Sequence, residues 1–444
     1  MKYPAKSLVW LFAAALVPAQ ASAQLVGDDS PEMRRPYRGL FGSSSDPQAP
    51  QSLMFNASLY GAWDDDITGG EGSRPSTDPS QRISGYYAGA QSSLGYTRAR
   101  DAYNMGLNLG AQYRYYPDQS YGAPSYHESF NIGTDLWEHA RVSVNQGFAY
   151  TPNYRVNLFP GIDGSDNPDA GAADPDLDLY QQTAYRHAAA VSFSQSIKRR
   201  SEFNAAARFR YVDFIEDGAD DFRGNAFSVG FRHRMTSHAT LRLGYGRHAS
   251  ESVNTDDLEP AHVVHNIDVG VDYSRAISLS RRTMFSFSTG SALQVAEQID
   301  ATSDPRMLFH FIGGAQLVHE IGRTWTANAA YRRSLNLRED FDQPVLTDAV
   351  TSTIGGLVTR RLTLSFSAGW VNAHGTVDKR AAYQALTAST QAQYALNRSL
   401  AVFARYFYYD YEFTDVASLK PGLPPSAQRN GVQVGITTTI PLIR

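Results

Sequence analysis

The chain has 444 residues, with 40 Lys plus Arg against 44 Asp plus Glu, and no cysteine. That near-neutral balance argues against a nucleic-acid partner, and the missing thiols exclude a disulfide framework. With 26 Tyr, 22 Phe and 35 Gly the composition favours strands over helices. A mean hydropathy of -0.38 resembles a soluble protein's, yet a membrane barrel has the same average because its strands are only half apolar.

The chain opens with Lys2 and Lys6, an apolar run over residues 8–17, and Ala21-Ser22-Ala23. A basic segment, a short apolar core and a small-residue site predict a signal peptide over 1–23. The run is too short for a spanning helix, which needs about 20 apolar residues. Residues 24–50 read as a polar periplasmic linker. Within it "RRPYRGLFG" (34–42) joins Arg34, Arg35 and Arg38 to Tyr37 and Phe41, which either contact a periplasmic partner or form a solvated tether.

From residue 51 to 444 the pattern is strand after strand. Leu53, Phe55, Ala57, Leu59 and Trp63 share one parity, as do the odd residues from Tyr103 to Tyr115. The same alternation returns in Val142–Tyr150, Phe203–Tyr211, Phe227–Phe231, Ile267–Tyr273, Trp325–Tyr331, Leu362–Trp370, Leu400–Tyr408 and Val432–Ile440. Period-two patterning of this kind marks strands with one apolar face. The runs last long enough for tilted membrane strands.

The connections alternate as well. Tight links at 97–101, 137–140, 198–201, 235–239, 279–282, 319–323, 359–361 and 396–399 separate longer, acidic, Gly- and Pro-containing loops. These loops cover 64–82, 117–125, 154–179, 216–221, 249–261, 297–304, 338–344, 374–380 and 413–428. Short turns on one side and long loops on the other predict an all-β, antiparallel up-and-down transmembrane barrel of about 18 strands, with 16 as the alternative. No repeated motif marks a propeller or solenoid. Trp63, Tyr86, Tyr87, Tyr115, Tyr116, Trp137, Tyr211, Trp370, Tyr408 and Tyr409 lie near strand ends, where interfacial aromatics are expected.

Signal peptide, linker, alternating strands and the final "NGVQVGITTTIPLIR" together resemble a bacterial outer-membrane porin-like barrel. The resemblance implies a place in the outer membrane, with lipid, lipopolysaccharide and the barrel-assembly machinery as partners. The chain departs from the pattern in ending on Leu442-Ile443-Arg444 rather than on an aromatic residue.

If the apolar parity faces lipid, the opposite parity faces the lumen. Arg114, Arg186, Arg208, Arg210, Arg232, Arg234, Arg242, Arg332 and Arg405 then line the pore, with Asp135, Asp268 and Asp272 as the acids. A lipid-facing Arg near the midplane costs about 2–4 kcal/mol, which forces Arg208 and Arg210 inward together. Excess arginine predicts an anion preference; the alternative is a purely structural charge network.

The loop at 159–179 is long enough to enter the pore as a constriction, or to stay outside. Its Asp163, Ser165, Asn167, Asp169 and Asp174 follow a calcium-loop spacing, but Pro168 replaces the required glycine. "WDDD" (63–66) and "EDGADD" (216–221) read as solvated acidic loops, and no metal or other cofactor is expected. Scattered histidines and the absence of G-x-S-x-G argue against catalysis. The expected function is a channel for passive diffusion of small polar solutes, anions or saccharides among them. The alternatives are a component of a polysaccharide-export or secretion system, or a structural barrel with a closed lumen.

Overall fold

The computed structural model describes residues 39–42, 49–65, 84–100, 102–152, 183–215, 221–253, 262–278, 282–296, 306–336, 345–376, 383–414 and 426–443. Its strands in chain order are β1 (Gln51–Asp64), β2 (Gly85–Arg100), β3 (Tyr103–Tyr116), β4 (Tyr121–Trp137), β5 (Ala140–Thr151) and β6 (Ala184–Lys198). They continue as β7 (Ser201–Phe214), β8 (Asp221–Arg234), β9 (Ala239–Val253), β10 (His262–Ala276), β11 (Thr283–Ala296) and β12 (Arg306–Ile321). The last six are β13 (Trp325–Asn336), β14 (Val345–Leu357), β15 (Leu362–Gly375), β16 (Tyr383–Ala395), β17 (Leu400–Phe413) and β18 (Ser426–Ile443).

Each strand pairs antiparallel with its sequence neighbours, and β1 pairs with both β2 and β18. The sheet is therefore an 18-stranded closed barrel with no free edge strand, the higher of the two strand counts expected. Three register irregularities, at Leu53/Met54, Asp135/Trp137 and Ser196/Lys198, all fall at the short-turn ends. A bulge there bends the rim without flipping the long faces.

Residues paired across the sheet share a face, so one assignment propagates around the barrel. Leu59 and Val434 are each 58% exposed, and both belong to the parity that carries the apolar runs. The opposite parity of the same strands holds Tyr60 at 7%, Ala62 at 6% and Asp64 at 0%. The apolar parity therefore faces out. Every predicted apolar run lies on that side, including Phe203, Phe209 and Tyr211 on β7. No described helix is long and apolar enough to cross a membrane.

Two details differ from expectation. The loop expected at 117–125 is a single 3₁₀ turn at Pro117–Gln119, closed by Ser120 in the left-handed region. Residues from Tyr121 onward already belong to β4, where Pro124 stands opposite Tyr113. The interfacial aromatics also divide. Tyr86 faces out at 69% exposure, whereas Tyr87, Tyr116 and Tyr409 face in and are buried. Successive strand residues point to opposite faces, so adjacent pairs such as Tyr86-Tyr87 cannot both be girdle residues.

Candidate functional site in the lumen

The register sets Arg114, Arg186, Arg208, Arg210, Arg232, Arg234, Arg242, Arg332 and Arg405 on the inner parity, with Asp135, Asp268 and Asp272. The inner parity also carries Arg141, Arg429, Asp64, Glu202 and Glu320, none of them among the residues expected to line the pore. Arginine therefore exceeds acid on the described inner wall. The excess is local: Arg186 on β6, Arg208 and Arg210 on β7, Arg232 and Arg234 on β8 and Arg242 on β9 occupy one sector.

These arginines differ in what they touch. Arg242 is buried and bonded to both Asp268 and Asp272, so its charge is consumed locally. The Arg210 guanidinium lies 6.0 Å from the centre of the Phe222 ring, within cation–π range. Arg208 and Arg232 make no ion pair among the described residues, and both remain partly exposed. Small neighbours leave Arg208 and Arg210 room: Ala190 and Ala226 flank Arg208 across the sheet and Gly224 stands beside Arg210, whereas Arg232 stands between Glu202 and Arg242. The cluster is a positive strip, bordered on its loop side by Val212 and Phe222, which pack into a hydrophobic cluster.

The sector on the far side of β1 has a different chemistry. β17 sends Phe403, Phe407, Tyr409, Tyr411 and Phe413 inward, and β16 adds Tyr383. Tyr383 is 0% exposed and Tyr411 1%. Tyr60, Tyr87 and Tyr116 continue the aromatic wall through β1, β2 and β3, with ring centres 6.2 and 5.2 Å apart. Tyr60 lies flat across β2 because Gly89 offers no side chain; a Cβ there would stand 2.1 Å from the ring. Gln112, Arg114 and Gln433 donate to the hydroxyls of Tyr60, Tyr116 and Tyr87, respectively.

Behind the aromatics is a buried ion pair. The Arg429 Nε donates to both Asp64 oxygens at 2.8 and 2.7 Å, and Asp64 is wholly buried. Next to it, the Asn430 backbone donates to Asp65 at 2.7 Å. These contacts fasten the first strand to the last at the loop end. Asp64 and Asp65 are thus clamp residues, not part of a solvated acidic loop. Asp221 is likewise buried, accepting from the Tyr211 hydroxyl at 2.9 Å and the Phe214 backbone at 3.1 Å.

The lumen is graded along its axis. Inner residues in the loop-side half of β14–β17, such as Val345, Val371 and Ala373, are buried within a hydrophobic cluster. Inner residues nearer the short turns are small, polar and exposed: Thr97, Asn104, Thr353 and Ser365. The loop at 159–179 and its calcium-like spacing lie outside the described residues. No metal-binding cluster occurs among the described residues.

No protein-family model and no curated protein matches the chain. Solved structures to which it is similar include OccK2 (OpdF) of Pseudomonas aeruginosa, at 8% identity, covering 91% of this chain and 100% of that one, with a TM-score of 0.46. Acinetobacter baumannii OccAB4 gives 11% identity, 89% and 100% coverage and a TM-score of 0.43. The P. aeruginosa siderophore receptor PirA gives 8% identity, 87% and 80% coverage and a TM-score of 0.42.

The linker reappears at the short-turn rim. Leu40 donates to the Arg360 carbonyl at 2.8 Å and Gly42 to the Arg398 carbonyl at 2.9 Å. Phe41, half-buried, sits between these two bonds to the β14–β15 and β16–β17 turns. Arg34, Arg35, Tyr37 and Arg38 lie outside the described residues.

Proposed function

We propose that the chain is a non-catalytic, porin-like channel of the outer membrane, passing small polar solutes by diffusion and favouring anions. A closed 18-strand barrel with an apolar outer belt belongs in a bilayer, since closure leaves no free edge strand. The anion preference rests on one observation, the arginine sector of β6–β9, in which Arg208 makes no ion pair among the described residues and faces only Ala190 and Ala226 across the sheet. Cationic side chains along a narrow polar route attract anions and repel cations. Conductance in planar bilayers tests the channel: discrete anion-dependent steps are expected, and a reconstituted barrel that carries no current sinks the reading.

Two observations favour other readings. The dry inner face of β14–β17 favours a barrel closed on its loop side, which the same current measurement separates. The docking of Leu40 and Gly42 on two turns favours a role for residues 24–50 as a contact to a periplasmic export partner. Deleting residues 25–50 leaves conductance intact in the channel reading and abolishes export in the other.

A further inference from the structure

The wall is not uniform. Between β10 and β11 the backbone ladder runs only from Asp272↔Ser288 to Ala276↔Met284, the fewest pairs at any junction. Above it both strands continue, β10 fully paired to β9 up to His262 and β11 to β12 up to Ala296. The facing edges there, residues 264–271 and 289–296, have no ladder between them. At about 3.3 Å per residue and a tilt of about 40°, this unladdered stretch, in which the two backbones still touch, begins about 12 Å above the strand ends. It therefore runs through the loop-side half of the lipid-facing belt, where Ile267 and Val269 are exposed.

Unladdered backbone at membrane depth is tolerated only where it is buried in protein or lines a watery cavity. Side chains hold the edges together instead. The Val271 backbone donates to Thr289 Oγ1 at 3.1 Å, and Ser291 Oγ donates to the Ile267 carbonyl at 3.1 Å. Arg242, anchored on Asp268 and Asp272, reaches past β10 and donates to the Thr289 carbonyl at 3.0 Å. That carbonyl crosses the inner side of β10, 1.8 Å from where a Cβ on Gly270 would stand. On the neighbouring strand Gly313 takes φ +151°, a conformation open to glycine, where β12 passes Thr289. Directly behind the seam Asn266 Oδ1 and Ser288 Oγ are buried without a hydrogen-bond partner.

We infer that the β10–β11 seam is a lateral portal, latched by Arg242, through which an amphiphile with a hydrogen-bonding head passes between outer leaflet and lumen. Its tail stays in lipid while its head exchanges with the side chains that bridge the edges. Asn266 and Ser288 supply the next hydrogen bonds inside. The inference rests on the membrane reading above but adds a route that a diffusion pore does not need.

Because the chain has no cysteine, single thiols report access cleanly. The full chain is reconstituted in vesicles carrying Ser288→Cys, Ser389→Cys or Val269→Cys. Ser288 and Ser389 both face inward, in different sectors of the wall; Val269 faces out. A membrane-partitioned alkyl maleimide is the probe. Val269→Cys reacts in every case; if it does not, the barrel is not in the bilayer, and both the membrane reading and the portal fall. With the barrel inserted, Ser288→Cys reacts faster than Ser389→Cys. Adding Arg242→Gln speeds only the former, by about tenfold, the population shift that losing a charged hydrogen bond brings to a local opening. Equal rates at the two inner thiols, with or without the latch, would show that the probe enters through the pore mouth and overturn the portal.

Discussion

The two sectors of the inner wall solve opposite problems with the same strand geometry. On β6–β9 the inward positions set Arg208 and Arg210 against Ala and Gly across the sheet, while Ala184, Val212 and Phe222 of the same sector join the loop-side hydrophobic cluster. On β16–β3 they carry large aromatic rings that pack to dryness and enclose the Asp64–Arg429 pair. The lesson is that inward does not mean wet. One sector is built to present charge, the other to hold the cylinder shut at the junction of its first and last strands.

The comparison breaks most sharply at the clamp. Asp64→Ala leaves Arg429 buried without its carboxylate, and about 3–5 kcal/mol of stability should be lost. The measurement is urea unfolding in detergent micelles, and the further change Arg429→Met should recover most of the loss. Nearly as large is Phe407→Ala, which opens a cavity in the aromatic wall and should cost about 3–5 kcal/mol in the same assay. If Phe407→Ala is neutral, that wall is not a core.

Parity is tested by a one-residue shift on β18. Ile436→Arg places a charge in lipid and should cost about 2–4 kcal/mol near the midplane. Thr437→Arg faces inward and should fold like the parent; equal penalties would refute the face assignment. The smallest stability effect belongs to the charged sector. Arg208→Ala should change unfolding by no more than about 0.5 kcal/mol, while lowering the anion-to-cation permeability ratio in bilayers.

Most of the fold was legible because a barrel strand writes its two faces in alternation, and Arg208 and Arg210 flanking Phe209 fixed the inside of β7. The aromatic wall was harder. "FARYFYYDYEF" on β17 carries aromatic rings on both parities, so its inward rings also suit an interfacial girdle. Asp64 was hidden by company: three consecutive aspartates look solvated, and only the pairing of β1 with β18 brings Arg429 to the first of them. The β10–β11 seam left no trace in the apolar pattern, because Ile267, Val269 and Val271 alternate normally and pair with β9 while only their ladder partners on β11 are missing.

The central claim is that the arginine sector selects what crosses the barrel. Reversal potential across a planar bilayer with a potassium chloride gradient tests it most directly. A potential displaced toward the chloride equilibrium value is the expected result, and Arg208→Ala with Arg232→Ala should move it back toward zero. A potential on the potassium side in the unaltered protein would contradict the account.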